Sequence, residues 1–120
     1  MAVRAVRGAT TVEHNEEEEI LKNTKELLEK IIKENALEKE DLIDMIFTIT
    51  PDIDKAFPAR AARQLGYTDV PLLDMAEPEI EGALTKCIRI IIHTNTEKKN
   101  SDMVPVYLRG ARALRPDLIK

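Results

Sequence analysis

The chain has 120 residues, which leaves room for one hydrophobic core and little for a second. Hydrophobic residues make up 43% and charged residues 33%, a balance that excludes a disordered chain and points to a soluble globular domain over residues 1–120. The formal net charge of −4 argues against a general nucleic-acid binder, which needs a basic face against phosphates. A local cluster of arginines can still hold a small anion.

Cys87 is the single cysteine, so there is no internal disulfide and no multi-cysteine metal site; the cytoplasm is the expected compartment. No apolar run approaches the roughly 20 residues that span a bilayer, and Met1 to Gly8 lacks the apolar stretch of a signal peptide. No membrane contact is expected.

Val3 to Val12 is rich in β-branched residues and reads as an opening strand in which Gly8 allows close backbone approach. Asn15 is a plausible N-cap for a long helix, with Glu16 to Glu19 at its positive end and Lys30 and Lys33 at the other. Ile20, Leu21, Leu27, Leu28, Ile31 and Ile32 form one apolar stripe on that helix, suited to a sheet.

Met45 to Thr50 has strand composition and stops at Pro51. Pro58 suits a first helical turn and Gly66 the C′ position, so a short helix should run from Pro58 to Leu65 with Arg60 and Arg63 on one face. Val70 to Met75 and Ile88 to Thr94 read as two strands separated by a loop that holds Pro78 and Gly82. Val104 to Leu114 is expected to supply a last strand, bent or bulged at Gly110.

This order gives an α+β (mixed α/β) fold: one domain with a mixed five-stranded sheet, covered by one long helix and a short one. Ile88, Ile90 and Ile92 alternate with Cys87, Arg89, Ile91 and His93, so both faces of the sheet carry apolar residues. With helices enough for one face only, such a sheet invites association with further copies.

Arginine is the polar residue to follow, because Arg7, Arg60, Arg63, Arg89 and Arg115 sit in or beside predicted elements while the lysines gather on the long helix and in loops. Arg89 lies mid-strand, where a charge is costly unless an anion or a structural ion pair meets it. Arg7 either ends in solvent or projects into a cleft; Tyr107 can donate its hydroxyl to a carboxylate or be an ordinary half-buried strand residue. Asp74 and Glu77, read as loop residues after the third strand, can accept from a substrate hydroxyl or simply be solvated.

His14 and His93 are far apart in sequence and lack a third ligand, so no metal is expected. The four glycines are too scattered for a phosphate loop or dinucleotide fingerprint, and no serine elbow is present. No cofactor is expected.

Val6-Arg7-Gly8-Ala9-Thr10-Thr11-Val12-Glu13, Ala56-Phe57-Pro58-Ala59-Arg60-Ala61-Ala62-Arg63, Lys86-Cys87-Ile88-Arg89, Val106-Tyr107-Leu108 and Leu114-Arg115-Pro116-Asp117-Leu118, in this order and spacing, resemble the small trimeric monofunctional chorismate mutases. The resemblance covers nearly the whole chain. It implies a homotrimer with a central sheet core, chorismate as substrate, and active sites at the subunit interfaces. Arg7, Glu77, Arg89 and Tyr107 would come from one subunit, and Phe57, Ala59, Arg60, Arg63, Leu72, Leu73 and Asp74 from its neighbour. Leu114 would add to the substrate contacts, with Arg115 near the mouth.

The reaction so implied is the pericyclic rearrangement of chorismate to prephenate in phenylalanine and tyrosine biosynthesis, with no covalent intermediate. Two other readings use the same arginines: a deaminase of reactive imines built on a similar small trimer, and a non-catalytic trimer that senses or carries a small carboxylate.

Overall fold

A computed structural model describes residues 1–114. The chain opens with β1 (Ala2–Thr11) and α1 (Glu17–Glu34), then β2 (Leu42–Ile49), α2 (Ala59–Gln64), β3 (Leu72–Ala76), β4 (Cys87–Thr96) and β5 (Val106–Tyr107). The five strands form one mixed sheet in the order β3-β2-β4-β1-β5. The two longest strands, β1 and β4, pair antiparallel at its centre, whereas β3 and β5 each add in parallel at an edge.

The apolar stripe of α1 covers one sheet face. Ile20, Leu27, Leu28 and Ile31 are fully buried there, with Met45, Phe47, Ile88 and Ile92 from the sheet. Burying each such side chain contributes about 1.5–3 kcal/mol, the main source of the fold's stability. Gly8 is what lets α1 settle this close: a Cβ on it would lie 2.5 Å from Ile31 Cδ1 and 3.0 Å from the Val106 carbonyl oxygen.

The N-cap of α1 is Glu16, not Asn15, and its side chain makes no capping bond. Asn15 instead bonds Asp54 through its side chain. Glu19 in the first turn reaches back to accept from the backbone N–H groups of Glu13 and His14, which ties the preceding turn to the helix start. At α2, Gly66 has φ +98° just past the last turn, as a C′ glycine should.

The expected last strand from Val104 to Leu114 is corrected to two paired residues, Val106 and Tyr107, followed by a 3₁₀ helix over Arg109–Ala113. Arg109 takes φ +53°, which turns the chain out of the sheet. Arg109 forks onto Glu26 of α1, and Gly110 N donates to Thr11 Oγ1 at 2.9 Å. Gly110 therefore serves close approach to β1, not a bend within a strand.

Among the described residues no α-helix covers the other sheet face, and only the 3₁₀ helix packs on it, where Ala111 meets Ala9, Cys87 and Tyr107 at one end. Register aligns Thr48, Arg89 and Ala9 in one row across β2, β4 and β1, then Ile46, Ile91 and Arg7, then Asp44, His93 and Ala5. Ile46 and Ile91 are half-buried, and Val3, Leu73 and Met75 are exposed by about half. Within it His93 Nδ1 and Asp44 Oδ1 lie 2.7 Å apart. Among the described residues, no helix is long and apolar enough to cross a membrane.

Candidate active site

Strand register brings the first group of polar residues together. Ala9 pairs with Arg89 on one side and with Tyr107 on the other, so Arg89 and Tyr107 stand two strands apart with only the small Ala9 between them. Arg7 lies two residues before Ala9 on the same side of β1. The result is a cleft of about 100 Å³ lined by Arg7, Ala9, Arg89, Tyr107 and Leu114, with Gly8 and Ile90 at its base.

Within this cleft Arg7 Nη2 donates to the Tyr107 hydroxyl oxygen at 3.0 Å. With its oxygen accepting, the phenol keeps its own proton for another acceptor. Arg7 is exposed while Tyr107 is 9% exposed, so a buried ring holds a mobile cation in place.

Arg89 is held from the other side by Glu77. Asp74 and Glu77 are not both loop residues: Asp74 lies inside β3, and Glu77 follows directly after it. Glu77 N donates to the Ile49 carbonyl at 2.8 Å, and its side chain crosses β2. There Glu77 Oε2 accepts from Thr48 Oγ1 at 2.6 Å and lies 3.3 Å from Arg89 Nε. The Arg89 Nε–H is buried and poorly aimed at that carboxylate, and has no hydrogen-bond partner among the described residues. Glu77, Arg89 and Leu84 also line an adjoining hollow of about 180 Å³.

Beneath Arg89, burial pushes the Cys87 thiol up to about 11 from 9.0, against the pull of the Arg89 charge. A thiol so buried and protonated at neutral pH is no nucleophile. Among the described residues no group of three or more His, Cys, Asp or Glu side chains is placed to hold a metal ion.

The second group of expected residues gathers elsewhere. Asp74 pairs in register with Phe47, so it faces the helices, and its Oδ1 accepts from Ala59 N at 2.9 Å at the start of α2. Burial raises the Asp74 carboxyl above its ordinary 3.8, while that N–H bond and the Arg63 charge pull it back. Arg60 pairs with Glu17 of α1 at 3.3 Å. Phe57 and Leu73 are 66% and 54% exposed, and Leu72 packs against the main core. Arg115 lies outside the described residues.

The two groups do not meet within one chain. Tyr107 on β5 and Asp74 on β3 are at opposite edges of the sheet, four strand spacings or about 19 Å apart, and Asp74 faces the helices while Arg89 faces the open side. Neither cleft at Arg89 is lined by a residue of the second group. Thr48 is the polar residue at this site that pattern reading passed over, since its place beside Arg89 depends on pairing register.

A half-buried guanidinium on an open sheet face, beside a hydroxyl donor and a carboxylate, has the chemistry to hold a small anion. A family model for chorismate mutase type I matches residues 3–118. Chorismate mutase AroH of Bacillus subtilis (strain 168) is 47% identical over 98% of this chain and 94% of its own length. Chorismate mutase AroH of Thermus thermophilus is 45% identical over 97% and 96%. A solved chorismate mutase from Clostridium thermocellum superposes with a TM-score of 0.89 at 48% identity, covering 91% of this chain and 97% of that one. The chain belongs to the type I chorismate mutase family, and it is an enzyme of the isomerase kind.

Proposed function

We propose that this protein rearranges chorismate to prephenate, serving phenylalanine and tyrosine biosynthesis in the cytoplasm as a homotrimer. The observation that carries this reading is the convergence of Arg7, Tyr107 and Arg89 on one cleft. Two fixed cations and a free phenolic proton there suit a dianion.

In the rearrangement the ether C–O bond lengthens while a new C–C bond forms, and negative charge builds on the ether oxygen. No proton has to reach the protein. Arg89 sets a guanidinium against that oxygen and one carboxylate, while Arg7 and Tyr107 hold the enolpyruvyl carboxylate. Catalysis is then conformational restriction into the chair-like geometry plus preorganised electrostatics, with no covalent intermediate and no cofactor. Glu77 accepts from the ring hydroxyl, and Leu114 closes the apolar side.

The single-chain cleft of about 100 Å³ falls short of the roughly 300 Å³ at which ligand pockets begin. A second wall is needed, and the uncovered sheet face with Ile46, Ile91, Val3, Leu73 and Met75 supplies a surface on which copies can pack. A neighbouring copy would then bring Phe57, Ala59, Arg60, Arg63, Leu72, Leu73 and Asp74 to the rim, with Arg115 near the mouth.

The test is to mix purified protein with chorismate and follow the loss of its ultraviolet absorbance, beside Arg89→Ala. Rapid conversion to prephenate that vanishes in the variant supports the reading. A folded protein that leaves chorismate untouched overturns it in favour of carboxylate binding or imine deamination.

A further inference from the structure

We propose that Thr48 is a positioning residue that keeps Glu77 from neutralising Arg89, and so leaves the guanidinium free for the reacting ether oxygen. This rests on the chorismate mutase reading and adds a residue to it.

The argument starts from register. Thr48 pairs with Arg89 across β2 and β4 and with Met75 across β2 and β3, so its hydroxyl stands on the open face between the strand that carries Arg89 and the strand that leads into Glu77. Arg89 and Glu77 are opposite charges on a partly buried face, where a carboxylate and a guanidinium would by themselves close into a two-bond fork. They do not. Thr48 Oγ1 donates to Glu77 Oε2 at 2.6 Å, and that same oxygen is 3.3 Å from Arg89 Nε with poor alignment, leaving the buried Nε–H without a hydrogen-bond partner among the described residues.

One oxygen of Glu77 is thus pinned to β2, and no two-bond fork onto Arg89 forms. Arg89 keeps enough attraction to be oriented but not enough to be satisfied. A guanidinium with unspent donors is what a transition state with growing negative charge can use.

Thr48→Val has nearly the same shape and lacks the hydroxyl. It should lower kcat by roughly ten- to a hundredfold, the worth of a hydrogen bond to a charged group, with a smaller change in KM. Thr48→Ser restores the hydroxyl and should recover most of the rate. In a Glu77→Gln background no ion pair can form with Arg89, so adding Thr48→Val should change kcat by less than about twofold.

A crystal structure of Thr48→Val gives a readout independent of turnover: both Glu77 oxygens should lie on Arg89. Glu77 remaining where it is would overturn the inference whether or not chorismate is converted. Equal losses from Thr48→Val in both backgrounds, or failure of Thr48→Ser to recover the rate, would also overturn it. A wild-type protein that does not convert chorismate, with Glu77 shifted as described in the variant, would count against the reaction and leave the geometry of Thr48 standing.

Discussion

Arg7 and Tyr107 are 100 residues apart in the chain and meet through a 3.0 Å hydrogen bond from Nη2 to the phenolic oxygen. The bond exists because β5 adds to β1 in parallel, with Ala9 beside Tyr107 and Gly8 beside Val106. Tyr107→Phe keeps the ring and deletes both the acceptor for Arg7 and the donor for a ligand carboxylate. It should lower kcat/KM by roughly ten- to a hundredfold while leaving the urea unfolding midpoint almost unchanged, because Arg7 is exposed. Steady-state kinetics with chorismate, run beside the unfolding curve, check both halves.

Arg89→Lys tests charge against shape. Lysine keeps the positive charge but cannot present the planar fork, and loss of a preorganised donor raises a barrier by about 3–4 kcal/mol, or roughly a hundred- to a thousandfold in rate. A lysine enzyme within about tenfold of wild type would mean that charge alone is sufficient at this position.

Gly8 ties packing to the site. Its Cβ position lies 2.5 Å from Ile31 Cδ1, which can rotate away, and 3.0 Å from the Val106 carbonyl, which is backbone and cannot. Gly8→Ala should therefore destabilise the fold by about 1–3 kcal/mol through overpacking. It should also reduce activity, since pushing Val106 outward moves Tyr107. Thermal unfolding and chorismate turnover should fall together; lost activity with unchanged melting would point to a different cause.

How much of this was legible in the sequence follows from what each element depends on. The helix over Glu17–Glu34 and strands β1 and β4 declare themselves through periodicity and composition, because their apolar positions answer to one face or to alternation. The end of β5 does not. Val104 to Leu114 has strand composition, yet Arg109 at φ +53° and its fork onto Glu26 take the chain out of the sheet. That turn depends on a partner 83 residues away. Arg7, Arg89 and Tyr107 were visible as candidates, but their convergence is a matter of strand order. Thr48 was invisible for the same reason: a threonine in a strand is ordinary until register sets it beside Arg89.

Glu19 predicts a pH dependence of stability. Its carboxyl is held below the usual 4.5 chiefly by the Glu13 backbone N–H, against desolvation by burial, with His14 adding to the lowering. A group whose folded value is depressed stabilises the native state above its unfolded value and loses that contribution as the pH falls through the folded one. Glu19→Gln cannot titrate. Wild type should therefore unfold at higher urea than Glu19→Gln at pH 7, and the gap should close as the pH drops below 4.5. A gap that stays constant down to pH 3 would show that the carboxylate charge plays no part at this helix start.

The separation of the two residue groups gives the sharpest test of where the active site lies. Arg89 stands on the central strand and Tyr107 on one edge strand, both on the open face, whereas Arg63 stands on α2, which packs on α1 and on β3 at the other edge. If each site draws one half from each of two neighbouring copies, Arg89→Ala and Arg63→Ala are each inactive alone for different reasons. Mixing equal amounts under conditions that exchange subunits should then restore about a quarter of the wild-type sites, because a random assembly pairs two intact halves that often. Adding Ile91→Asp to both variants should abolish the recovery, since Ile91 lies at the centre of the uncovered face and a buried carboxylate there would split the oligomer. No recovery on mixing, with exchange verified by mass, would place all the catalytic groups within one chain and require Arg63 to act without touching the substrate.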